Sequence, residues 1–471
     1  MTASLVGLAL VAAACGSSGG GSATNATVDA GVKSGVGAAL SGSSTTAGDA
    51  TSTTAGAAPT SLPEWETLWS QQRAAIVKRI KDNKWGKSTD GKTLTGPAGW
   101  TVDLTKCPVG WSDTEGVTDT TIKIGASLPL SGTYADAGNL GKAISFLIGY
   151  YNDQGFFKDA NGKVRKVDYT TKDDAYDAAR AIPNVDELLD SERSFAIWTQ
   201  GSPSTLKTYD KINQRCVPQP MSLTAHTAWG DPINHPWTTG APQPTYATEA
   251  ILWGAFLEKH LSEFPNDRKL KVASLVQNND FGKLYDASFK AFVAQSATLK
   301  DRVDYFNETI EAAAPTVTDP MTTLASKKPD VWITMLAGTQ CTQIVTEAAQ
   351  DGLKTTAKYL FMPQTCPGAS YIGKDKVGGD GSAGDGWYFL SPGLKDMKDP
   401  AYQDDPYVKW LRGAMKAKGI DPDSSSYLSG GINYVFPVVQ ALNIAGQLDG
   451  GVTRTNFQLA LRSCDIKSPK L

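Results

Sequence analysis

From Val117 onward, short β-branched runs alternate with stretches whose apolar residues recur every three or four positions, and no other feature narrows the possible fold as much. Strands separated by a helix are expected to run parallel, because the crossover carries the chain back to start the next strand in the same direction. The pattern predicts strands over 122–128, 167–171 and 194–198, with helices over 138–152, 175–189 and 203–213. It then repeats, with helices over 248–260, 283–294 and 342–350 and strands over 271–276, 330–335 and 359–362. Two such series in one chain predict an α/β fold of two Rossmann-like lobes, each built on a parallel sheet. Two further helical patterns close the chain, over 407–418 and 429–448.

With 471 residues there is chain enough for more than one core. The 45 Lys and Arg nearly balance 48 Asp and Glu, giving a net charge of −3. No basic block stands ready to neutralise phosphates, so nucleic acid is excluded as an expected partner. The apolar run from Leu5 to Ala14 is far short of the ~20 residues needed to span a bilayer, and reads as the core of an export signal. It ends Val11-Ala12-Ala13-Ala14-Cys15, which resembles the lipobox of bacterial lipoproteins. Residues 1–15 are therefore expected to be a lipoprotein signal peptide, with Cys15 the acylated residue that anchors the protein outside the cytoplasmic membrane. Met1 to Ser4 carries no Lys or Arg, as a shortened or misassigned start would leave it. Residues 16–62 are rich in Gly, Ser, Ala and Thr and are expected to be a flexible linker. Residues 63–116 read as a helical and irregular appendage: Trp65, Leu68, Trp69, Ile76 and Ile80 share one helix face within 63–85, and 90–108 is expected to be irregular connection.

Six motifs in order carry a family resemblance. They are Ile122-Lys123-Ile124-Gly125 running into Pro129-Leu130-Ser131-Gly132-Thr133-Tyr134-Ala135, then Lys172-Asp173-Asp174, then Gly201-Ser202-Pro203-Ser204-Thr205, then Asn279-Asp280-Phe281-Gly282, then Asp330-Val331-Trp332-Ile333, and last Ala348-Ala349-Gln350-Asp351-Gly352-Leu353. Over roughly 117–460 the chain resembles the type I periplasmic binding proteins of the leucine/isoleucine/valine-binding kind, the solute receptors of ABC importers. The resemblance implies a Venus-flytrap whose lobes close on a small molecule, joined by three chain crossings. These are expected near Gly240, near Ser391 and between Gly446 and Thr455, so that lobe 1 comprises 117–241 plus 392–455 and lobe 2 comprises 242–391 plus 456–471. It further implies a monomer without a cofactor that delivers its ligand to an ABC permease.

Open α/β sheets bind ligands beyond the carboxyl ends of their strands, where helix N-termini offer free N–H groups. Gln200 and Gly201 end such a strand. Ser202 is expected to be the N-cap, with Pro203 at the first helical position, and it falls where the resemblance places a carboxylate-binding serine; an ordinary capped turn is the plain alternative. Thr224, in Met221–Ala225, is expected to complete that polar-head site. Tyr134 is expected to be either an aromatic wall or a surface lid. Phe281 is expected to meet the ligand from the second lobe or else to pack on its own helix. Amino-acid binders of this kind set a carboxylate against the ligand's ammonium after the strand that here precedes Pro363-Gln364-Thr365-Cys366. This loop has no acid, so an α-amino acid is disfavoured, while amides, urea-like solutes, carboxylates and aromatic compounds gain weight with Gln364 and Thr365 as contacts.

Apart from Cys15 there are five cysteines, without a C-x-x-C pair, and disulfides are expected over metal. Cys341 and Cys366 follow strands expected to be neighbours and are predicted to pair; Cys107 is left to pair with Cys216 or Cys464. The odd cysteine is free, or has lost a partner to a C-terminal truncation after Leu471. An enzyme is disfavoured: only three histidines exist, His226 and His235 share one loop without an acid at ligand spacing, and no nucleophile elbow, phosphate loop or dinucleotide fingerprint is present. The competing readings are a ligand-sensing lipoprotein that acts on a signalling partner and an envelope lipoprotein that binds only protein.

Overall fold

The computed structural model describes residues 58–366, 368–390 and 393–470. The signal peptide with Cys15, the linker up to residue 57, and Ser391 lie outside the described residues.

The first helix, α1 (Leu62–Asp82), starts at Ser61, whose side chain accepts the Glu64 N–H, with Pro63 in its first turn. It buries Trp65, Trp69, Ile76 and Ile80. Three short strands follow, β1 (Gly86–Lys87), β2 (Thr93–Thr95) and β3 (Thr101–Asp103), forming an antiparallel sheet in that order. This corrects the expectation of irregular chain over 90–108. The strands are two or three residues long, and β2 and β3 each bury a single side chain, Leu94 and Val102, too little to register as a pattern.

The first lobe is built on a parallel sheet of order β5-β4-β6, where β4 is Thr121–Leu128, β5 Lys166–Asp173 and β6 Ala196–Thr199. Its helices are α2 (Asn139–Asp153), α3 (Ala178–Asp190) and α4 (Ser202–Gln214). The second lobe begins at α5 (Tyr246–Lys259) and alternates β7 (Leu270–Gln277), α6 (Asp280–Gln295), β8 (Val303–Ile310), α7 (Thr318–Ser326), β9 (Val331–Met335), α8 (Gln340–Gln350), β10 (Tyr359–Phe361) and β11 (Trp387–Tyr388). All its strands are parallel, in the order β11-β10-β9-β7-β8. Alternate residues of β7 feed two cores: Leu270, Val272 and Val276 face one side, Ala273 and Leu275 the other. That is the period of two expected of a sheet covered by helices on both faces.

The chain then returns to the first lobe with α9 (Pro406–Ala417), α10 (Ser426–Gly446) and α11 (Arg454–Ser463). Met397, Leu411 and most of α10 join the same core as Ile124, Ala143 and Trp198. So do Phe457, Leu459 and Ala460, while Arg454, 1% exposed, donates to the carbonyls of Ser194 and Phe195 and pairs with Glu115 at 3.1 Å. Residues 456–470 thus pack on lobe 1, which corrects their assignment to lobe 2. The segment expected as the third crossing joins α10 and α11 on one lobe. Among the described residues the chain passes between lobes around 239–246 and between β11 and Met397. Helix α1 lies on the same lobe, with Trp69 against Tyr407 and Phe436 at ring distances of 6.0 and 4.8 Å.

Cys107 is bonded to Cys216 and Cys341 to Cys366, and Cys464 is free. Among the described residues no helix is long and apolar enough to cross a membrane, and no cluster of three His, Cys, Asp or Glu could hold a metal ion.

Candidate ligand-binding cleft

Both parallel sheets end at the gap between the lobes, and a cavity of about 240 Å³ lies there. Seven aromatic rings line it: Tyr134 and Tyr176 from first-lobe loops, Tyr246 and Phe281 from α5 and α6, Tyr371 from the second lobe, and Tyr427 and Tyr434 from α10. Amides and hydroxyls interrupt the rings, among them Gln200, Gln364, Thr365, Ser429 and Asn433.

The loops that bring the first two rings in are held by carboxylates. Asp173, at the end of β5, accepts the N–H groups of Leu130 (2.9 Å), Ser131 (3.2 Å) and Ala175 (2.9 Å), so it ties the loop carrying Tyr134 to the turn carrying Tyr176. Asp174 accepts the Tyr176 N–H at 2.8 Å and the Ser127 hydroxyl at 2.8 Å. Burial pushes the Asp174 carboxyl up to about 6. These bonds hold Ala175 and Tyr176 at φ +50° and +65°, a left-handed conformation costing an L-residue ~1–2 kcal/mol. The result is that the Tyr176 ring lies over Gly201, where a Cβ would fall 2.3 Å from it, and stacks on Tyr134 at 4.0 Å. Gly201, at φ +84°, is itself the N-cap of α4, so Ser202 stands inside the helix instead of capping it.

Tyr134 crosses the cleft. Its hydroxyl accepts from Gln277 Nε2 at 2.5 Å and donates to the Ala337 carbonyl at 3.3 Å, both on the second lobe. Burial raises its ionisation far above the usual phenol range. The ring is 4% exposed and lines the cavity, so it forms a wall and not a surface lid. Phe281 does both things expected of it: it lines the cavity and packs edge-on against Tyr246 at 4.8 Å, with its N–H received by the capping Asn279.

The acid missing from the loop after β10 sits beneath it. Glu249 of α5 is wholly buried, accepts the Gln364 N–H at 2.7 Å through Oε1 and the Tyr285 hydroxyl at 2.5 Å through Oε2, and does not reach the cavity surface. Burial pushes its carboxyl up to about 8, against the pull of those two hydrogen bonds. Its task is to seat Gln364, whose Nε2 donates to the hinge carbonyl of Pro244 at 3.0 Å. The disulfide to Cys341 pins the same loop one residue beyond Thr365.

A family model described as periplasmic binding protein matches residues 121–470.

The chain belongs to that family.

Its members are solute-binding proteins, and the fold is that of the type I periplasmic binding proteins. A fatty acid ABC transporter substrate-binding protein from Thermomonospora curvata is 20% identical, with a TM-score of 0.60 over 76% of this chain and 84% of that one. A branched-chain amino acid ABC transporter from Thermus thermophilus with bound valine is 14% identical, with a TM-score of 0.59 over 73% and 83%. A solute-binding protein from R. palustris in complex with benzoate is 19% identical, with a TM-score of 0.56 over 74% and 88%. These likenesses show the fold. Comparison with curated proteins gives no match.

In this periplasmic binding protein the cavity wall includes Tyr134, Gln200, Gly201, Phe281, Gln364 and Thr365 of the sequence-predicted set. Ser202 and Thr224 are buried behind it, with hydroxyls 2.9 Å apart, and Thr224 also meets the Tyr246 hydroxyl at 3.4 Å. Ser202 therefore has a threonine for its partner and no histidine base. His235 does find an acid that spacing could not show, Asp210 of α4 at 2.7 Å. Tyr176, Tyr246, Tyr371, Tyr427, Asn433 and Tyr434 are among the contributors sequence reasoning missed. The Lys172-Asp173-Asp174 motif was the available signal for Tyr176, since it builds the turn that presents the ring.

Proposed function

We propose that this chain is an extracytoplasmic solute-binding protein of an ABC transporter, lipid-anchored through Cys15 to the outer face of the cytoplasmic membrane. It captures a small polar organic solute of amino-acid, amide, urea-like or aromatic carboxylate type, then delivers it unaltered to a permease. The observation that carries this reading is the cavity itself, set where two parallel sheets end opposite one another and closed by Tyr134 reaching from one lobe to the other. Such a site can bind by lobe closure and release by opening, and Ser202, the one hydroxyl that resembles a nucleophile, has no general base.

Mass spectrometry of metabolites released by mild unfolding of the purified protein tests the reading. A single small solute, recovered intact after incubation at stoichiometric amounts, supports it; conversion of that solute to a product refutes it. Anchoring is tested separately by fatty-acid labelling, which Cys15→Ser abolishes, and the monomeric state by sedimentation.

A further inference from the structure

We infer that the solute is an uncharged, ring-bearing amide, received through hydrogen-bond acceptors on the cavity wall, with Gln200 determining specificity. The inference rests on the solute-capture reading and narrows it.

Among the described residues, neither charged end of an amino acid meets an unengaged partner at the wall. The α4 N-terminus, where a carboxylate would be held, is covered by the Tyr176 ring over Gly201, and the Ser202 hydroxyl is taken by Thr224. Of the residues described at the wall, Lys395 is the cation, and its ammonium is engaged by Asp405 at 2.8 Å. Lys470, buried behind Ser429, gives its protons to that residue's carbonyl and hydroxyl. An ammonium fares no better: Asp396, the lining acid, already accepts the Lys398 N–H at 3.0 Å and interacts with the charge of the buried Lys470, while Glu249 lies beneath the loop and is bound to Tyr285 and Gln364.

The wall offers acceptors in place of charges. Gln200 is 4% exposed, and its Nε2 donates to the Ala137 carbonyl at 2.9 Å, which fixes the amide's orientation and leaves Oε1 with no partner in the protein. Asn433 Oδ1 likewise has none. A buried acceptor without a donor costs ~1–3 kcal/mol, and a ligand N–H that meets it removes the cost. A carboxylate brought to the same oxygens would be repelled. The surrounding rings then ask for a flat apolar body that can stack between them.

Calorimetry on the purified protein with benzamide, benzoate, phenylalanine and valine tests this, because benzamide and benzoate differ in charge and in N–H donors but hardly in shape. Benzamide is expected to bind at least about tenfold more tightly than benzoate, and Gln200→Leu is expected to weaken benzamide by about tenfold while strengthening benzoate, which no longer meets the repelling oxygen. The ratio on the unsubstituted protein decides the matter even if the variant fails to fold. Benzoate or an amino acid binding as tightly as benzamide overturns the inference and leaves solute capture standing. Binding by none of the four overturns it as well, and solute capture is then judged on the metabolite extracted from the unfolded protein.

Discussion

Gln277, at the end of β7, donates a 2.5 Å hydrogen bond to the hydroxyl of Tyr134, a residue of the opposite lobe. With the Tyr134 bond to Ala337, this joins the lobes directly above the cavity. Tyr134→Phe keeps the ring and removes the joint. The closed form is expected to lose about 1 kcal/mol, roughly a fivefold rise in Kd expressed mainly as faster dissociation. Stopped-flow release of bound solute checks it; an unchanged off-rate would show that the bond does not hold the lobes shut.

The two disulfides are expected to differ in kind. Cys107–Cys216 closes a separation of 109 residues and Cys341–Cys366 one of 25, so loop entropy gives about 4.8 and 3.5 kcal/mol respectively. Replacing the first pair with alanine lowers stability in urea more. Replacing the second lowers stability less but also weakens solute binding, because Gln364 and Thr365 sit on the loop it fastens.

Glu249 sets a pH dependence. Its carboxyl is raised from an ordinary 4.5 to about 8, so across that window the folded protein binds more protons at this site than the unfolded chain. Its contribution is present below about 4.5 and is lost as pH rises through 8, with a slope of at most about 1.4 kcal/mol per pH unit. Glu249→Gln, which keeps an acceptor for Gln364, removes that slope. His226, lowered to about 4 by burial, acts in the opposite sense over 4 to 6.5, so the comparison must be the variant against the parent by denaturant unfolding at each pH. Parallel curves would refute the assignment.

Trp69 makes α1 part of the first lobe. It is fully buried, packs on Phe436, and its indole N–H donates to the Lys467 carbonyl at 2.9 Å. Trp69→Ala is expected to cost about 3–5 kcal/mol in urea unfolding. A cost below about 1 kcal/mol would mean that α1 is an add-on.

Much of this was legible in the sequence, and the failures have physical reasons. The buried strands β4, β7 and β9 announce themselves because both faces are covered and their residues are almost continuously apolar. The edge strand β8 was missed because one neighbour and partial exposure let it carry Asp304, Asn307 and Glu308. Gln200 and Gly201 follow from the rule that sites lie past strand ends. Tyr176 does not, because its position depends on hydrogen bonds from Asp173 and Asp174 that force an unfavourable turn. Asn433 and Tyr434 fall in the closing helical pattern expected over 429–448 and Tyr427 just before it; only packing of α10 on α2 brings its first turns to the cleft. The mistaken destination of 456–470 came from assuming a third crossing, which nothing in the local residues required.

Helix α10 starts at the cleft and ends deep in the first lobe, clamped along the way by α2 and α11. Whatever presses on Asn433 therefore presses on an anvil, not a spring. If the protein captures solute as proposed, the stroke that traps it falls to the other half, whose side of the chamber joins the starts of two helices, at Tyr246 and Phe281, to a turn fastened by Glu249 and one sulfur bridge.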